Sequence, residues 1–72
     1  MTKEELHERI RRLEQGDSFS YMNRDIPLAV CVVRTSAVRY KALVIDDENS
    51  YTYNFTSKYE LFDKVSDLIR AD

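Results

Sequence analysis

Leu28–Asp46 reads LAVCVVRTSAVRYKALVID, and the way this stretch folds back on itself decides what the chain buries. Its first half is almost wholly apolar and rich in β-branched residues, as suits a strand inside a sheet. Its second half resumes an apolar pattern of period two after Thr35-Ser36-Ala37, a short break that suits a tight turn. The two halves predict an antiparallel hairpin. Side chains alternate between the faces of such a pair, so a slip of one residue turns a strand's whole set over. With a two-residue turn at Ser36-Ala37, Val33 faces Tyr40, Cys31 faces Ala42 and Ala29 faces Val44.

Downstream, Asp46-Asp47-Glu48-Asn49 has turn chemistry and Ser50–Phe55 (SYTYNF) alternates cleanly. Placing Asp46 opposite Tyr51 sets Val44 against Tyr53 and Ala42 against Phe55. Upstream, Ser18–Met22 (SFSYM) alternates Phe19 and Tyr21 with serines. Asn23-Arg24-Asp25-Ile26-Pro27 is the intervening loop; Pro27 brings no N–H to a ladder and belongs at a strand start.

Helices are expected at both ends. Thr2 and Glu5 have the spacing of a capping box, and Leu6, Ile10 and Leu13 follow as an apolar stripe of helical period. Glu5–Arg9 and Glu8–Arg12 are acid-first i,i+4 pairs, and Gly16 suits the residue after a helix that ends near Gln15. Ser57 and Glu60 repeat the capping grammar before the arc of Leu61, Phe62, Val65, Leu68 and Ile69, with Glu60–Lys64 as a further pair.

The expected fold is therefore α+β, in the order α-β-β-β-β-α. It is a four-stranded antiparallel meander with the N- and C-terminal helices packed on one face, in a single domain spanning residues 1–72. The hairpin registers above put Ala29, Cys31, Val33, Tyr40, Ala42, Val44, Tyr51, Tyr53 and Phe55 on the face that the helices cover. The other face receives Leu28, Val30, Val32, Arg34, Arg39, Lys41, Leu43, Ile45, Ser50, Thr52 and Asn54. Burying Tyr51, Tyr53 and Phe55 is less costly than burying Ser50, Thr52 and Asn54. The register sets Arg34 against Arg39, a like-charge pair that costs energy across strands; a three-residue turn would relieve it and shift the hairpin.

A chain of 72 residues buries only about 60% of the surface its unfolded form exposes, and its one cysteine allows no internal disulfide. Association with a second copy is one way to supplement so small a core. No apolar run approaches the roughly 18 residues of a membrane span. The first residues lack the apolar stretch of a signal peptide. A free cysteine suits a reducing compartment, and the expected location is the cytoplasm. The net charge is −2, and it is unevenly spread. Residues 17–45 hold four bases and two acids, whereas residues 46–72 hold seven acids and three bases.

Chemistry is sparse. His7 stands on the charged side of the first helix, apart from any evident nucleophile. Cys31 lies in AVCVV, without the electropositive surroundings of a reactive thiol. Asp46, Asp47 and Glu48 lack both the alternate spacing and the glycine of a calcium loop. The single glycine, Gly16, forms no phosphate loop. No enzyme activity, metal or cofactor is expected.

The functional expectation is a small interaction module, a regulator or stoichiometric inhibitor, using the uncovered sheet face. Leu28, Val30, Val32, Leu43 and Ile45 are its apolar centre, and Arg34, Arg39, Lys41, Thr52 and Asn54 its polar rim. The partner is a second copy or another protein; the Ser18–Met22 edge offers strand addition as a second route. Small acidic chains of this kind are common among accessory proteins of mobile elements, an association of composition alone. The alternative expectation is nucleic-acid binding through Arg34, Arg39 and Lys41, which would want stacking aromatics on that same face.

Overall fold

The computed structural model describes all 72 residues. The order is α1 (Lys3–Arg12), β1 (Ser18–Asn23), β2 (Leu28–Ser36), β3 (Arg39–Ile45), β4 (Ser50–Phe55) and α2 (Lys58–Ile69). The strands form one antiparallel sheet in the order β1-β2-β3-β4. Both helices lie on one of its faces, so the expected α+β meander is the fold. Leu6, Ile10 and Leu13 of the first helical segment join Leu61, Val65 and Ile69 of α2 in a single buried cluster with Val30, Val32, Tyr40, Ala42 and Val44 of the sheet.

The β3–β4 hairpin closes on the expected turn. The Asp46 carboxylate accepts the N–H groups of Glu48 (2.9 Å) and Asn49 (2.7 Å), the local bonding by which aspartate initiates turns. Ile45 pairs with Ser50, Val44 with Tyr51, Ala42 with Tyr53 and Tyr40 with Phe55. Relative to the expected pairing, β4 is shifted by two residues. A shift by an even number keeps every side chain on its face, so Tyr51, Tyr53 and Phe55 stay on the helix side. Tyr53 and Phe55 pack against the core, while Tyr51, towards its edge, stays exposed.

The β2–β3 hairpin departs in a way that matters more. Its turn is Ala37-Val38, between the paired residues Ser36 and Arg39, and the next pair is Arg34 with Tyr40. Thr35 is the extra residue of a β-bulge. Had the ladder run on without it, Val33 would face Ala42, and β2 would present the expected side. The bulge turns the rest of the strand over: Val32 faces Ala42 and Val30 faces Val44. The exchange buries Leu28, Val30 and Val32 in place of Ala29, Cys31 and Val33, a bulkier apolar set and therefore the larger hydrophobic gain. It also removes the Arg34–Arg39 opposition.

The helix ends follow the sequence with local changes. Thr2 accepts the Glu5 N–H at 3.1 Å, and the Glu5 carboxylate returns to the Thr2 hydroxyl rather than to its backbone. Helix α1 ends at Arg12, earlier than expected, and Gly16 serves a separate turn. That turn is closed by the Asp17 N–H on the Glu14 carbonyl (2.9 Å), and Gly16 takes the positive φ (89°) it requires. Ser57 caps α2 by accepting the Tyr59 N–H at 3.2 Å.

Two of the expected intrahelical ion pairs are replaced by cations over rings. Arg9 lies 5.9 Å from the Phe19 ring centroid and Lys64 lies 4.7 Å from that of Tyr53. The sheet supplies exposed ring faces beside the helices, and long basic side chains cover them while keeping their heads wet. Glu8 alone forms ion pairs, with both Arg11 and Arg12. The hydrogen bond from Arg11, followed by the charges of Arg11 and Arg12, holds the Glu8 carboxyl at about 2, below its ordinary 4.5. The lowered value means that this contribution to the helix is complete above the ordinary range and is lost as the pH falls towards 2. A carboxyl-carbon NMR titration should find Glu8 titrating well below the ordinary glutamate value of 4.5. High salt should move it back towards that ordinary value, because the pair is open to solvent.

Candidate functional site

The sheet face opposite the helices carries no covering element. Cross-strand pairing arranges its side chains in rows: Met22, Ala29, Ile45 and Ser50; then Ser20, Cys31, Leu43 and Thr52; then Ser18, Val33, Lys41 and Asn54. Arg39 lies beyond the last row on β3. The apolar members run along the two central strands, joined by Met22 on the outer strand β1. Leu43 is 39% exposed, Ile45 48% and Met22 71%, while Ala29, Cys31 and Val33 are half-buried among their neighbours. The outer strands give Ser18, Ser20, Ser50, Thr52 and Asn54, all exposed. An aliphatic centre thus has polar strips on both sides, the pattern of an interface core and rim.

Of the residues expected on this surface, Leu43, Ile45, Arg39, Lys41, Thr52 and Asn54 are there. Leu28, Val30, Val32 and Arg34 are not. Val30 and Val32 are 2% and 0% exposed beneath the helices, and Leu28 packs at the edge of the same core. The Thr35 bulge is the reason, since it reverses every β2 side chain that precedes it. Ala29, Cys31 and Val33 take the vacated places, so the only thiol of the chain belongs to the uncovered face rather than to the core. One signal for them is present in the sequence. Leu28, Val30 and Val32 are bulkier than their alternates and have the stronger claim to burial.

Arg34 instead ties helix to hairpin on the covered side. Its guanidinium donates at 2.7 Å to the Leu13 carbonyl and at 2.7 Å to the Ala37 carbonyl. It lies 5.5 Å from the Tyr40 ring centroid, and its Nε is buried without a partner. The three cations expected to contact phosphate therefore do not share a surface. Every sheet aromatic (Phe19, Tyr21, Tyr40, Tyr51, Tyr53, Phe55) falls on the helix side of the pairing. Arg39 and Lys41 have no stacking ring beside them on the open face.

The charges of this surface are separated along the strands. Arg39 and Lys41 stand at one end of β3, and Asp46, Asp47 and Glu48 follow its other end. Ile45, Met22 and Ala29 border a shallow depression whose rim includes Asp46 and Asp47, which places the acids next to the apolar rows. Arg24 borders the same depression, and with Asp25 it adds no net charge to that end. None of the five polarised charges has an ion-pair partner within the chain.

His7 is exposed, with its ring edge against Phe62 at 5.5 Å between centroids. No helix is long and apolar enough to cross a membrane. No protein-family model matches the chain, and no curated protein or solved structure does either.

Proposed function

We propose that the chain is a protein-interaction module that works through its uncovered sheet face. The observation that carries this reading is the continuous apolar centre formed by Ala29, Cys31, Val33, Leu43 and Ile45, left without a covering helix in a domain whose two helices both lie on the other side. Uncovered apolar patches with polar rims are how small soluble domains meet partners. The nucleic-acid alternative has less behind it, because Arg39 and Lys41 without a stacking ring supply only weak, salt-sensitive phosphate contact.

A photo-crosslinking amino acid at position 43, expressed in the source cell, tests the reading. Protein adducts should form from position 43 and not from Arg11 on the far side of the molecule. Equal labelling from both positions, or none from position 43, would count against an interface on this face.

A further inference from the structure

The charge separation on the open face says which partner fits it. We infer that the face is covered by a second copy of the same chain, packed sheet against sheet about a two-fold axis that runs across the strands, along the Cys31–Leu43 row. The inference rests on the interaction reading above and names its partner.

A two-fold axis makes one patch cover itself, and for two sheets stacked with their strands aligned it runs either along the strands or across them. Along the strands, Arg39 and Lys41 would meet their own copies, as would Asp46, Asp47 and Glu48. Across the strands, the basic end of each sheet lies on the acidic end of the other. Like charges brought together at an interface cost several kcal/mol, and opposite ones steer and fix the register, so the second arrangement is selected. The middle of the charge pattern on β3 falls near Leu43. The row of Cys31 and Leu43 then faces itself. Ala29 comes to lie against the partner copy's Val33 row, and Ile45 on the methylene stem of a lysine at position 41. The apolar centre is closed, and at each end the two bases of one copy meet the three acids of the other. Dimerisation also adds the burial that a 72-residue core is short of.

Sedimentation equilibrium of the unmodified chain from about 10 μM to about 1 mM is the first measurement. A dimer is expected, weakened several-fold between about 0.05 and about 0.5 M salt, because attraction between exposed charges is screened. A strand-parallel dimer would be strengthened by salt instead. Arg39→Glu/Lys41→Glu and Asp47→Lys/Glu48→Lys should each be monomeric, and an equimolar mixture should recover a heterodimer. Asp46 is left intact because its carboxylate holds the turn. Circular dichroism should show both variants folded.

Cys31, the only thiol, locates the contact without mutation. Stacked sheets lie about 10 Å apart, beyond the roughly 7 Å Cα limit of a disulfide. A short bismaleimide should therefore join two chains where direct oxidation does not, and Leu43→Lys should abolish the product. A chain that is monomeric at about 1 mM, a dimer strengthened by salt, or charge-reversed variants that associate like the parent would each overturn the inference. If the parent is monomeric while position 43 still crosslinks to a different protein, the interaction reading survives and only the identity of the partner falls.

Discussion

Val32→Asp should leave the chain unfolded at room temperature, while Val33→Asp leaves it folded and monomeric. These adjacent residues point to opposite faces. Val32 has no exposed surface and packs within the cluster formed by both helices and the central strands. A carboxyl group there finds no hydrogen-bond partner, and burying it costs several kcal/mol even after its pKa rises to keep it neutral. A domain of this length has only about 3–5 kcal/mol of stability to lose. Val33 is half-buried on the uncovered face, where a carboxylate can remain hydrated. Its cost to the fold should stay within about 1 kcal/mol, and its effect should fall on association. Far-ultraviolet circular dichroism and urea titration of both variants check this. The reverse outcome, with Val33→Asp unfolded and Val32→Asp native, would mean that the ladder passes Thr35 without a bulge.

Arg34→Ala should lower stability by about 2–3 kcal/mol, since two hydrogen bonds from a charged donor go with it. The Leu13 and Ala37 carbonyls that it binds belong to the end of the first helical segment and to the β2–β3 turn. Its loss therefore loosens two elements at once. The gain from no longer burying the unpartnered Nε returns part of the cost, which is why the figure is not larger. For a domain of this size the change corresponds to about 10–20 °C in melting temperature. Arg34→Lys should recover only part of it, because an ammonium cannot span both carbonyls with the fork of a guanidinium. Arg39→Ala is the control. That side chain is exposed without an ion pair, and its removal should change the stability of the monomer, measured at low protein concentration, by no more than about 0.5 kcal/mol. A urea midpoint that falls for Arg34→Ala with an unchanged slope would show a loss of stability with no change in the surface exposed on unfolding.

Much of the fold was legible because local signals agreed. Thr2 and Ser57 mark helix starts by hydroxyls placed before apolar stripes of period 3.6. The Asp46–Asn49 turn closes through the aspartate's own side chain. A meander follows from four strands joined by short connections. The candidate surface was legible only in part. Leu43, Ile45, Arg39, Lys41, Thr52 and Asn54 were placed correctly because β3 and β4 alternate without interruption. Leu28, Val30, Val32 and Arg34 were placed on the wrong face because hairpin parity depends on a single residue, and a bulge leaves no composition signature at Thr35.

The sequence by itself determined the number, order and type of the elements, and the existence of one sheet face left uncovered by two short helices. These depend on hydrogen bonding and periodicity within a few residues of each position. Only the tertiary structure decided which side of β2 is buried. It also decided where Arg9, Arg34 and Lys64 send their charges. Val30 and Val32 go inward because the helices bury more apolar bulk that way, and the chain accommodates this with one bulged residue. Arg9 and Lys64 leave their helical neighbours because rings from distant strands stand within reach. Choices of this kind compare interactions between residues far apart in the chain, and their outcome appears only when those residues are brought together.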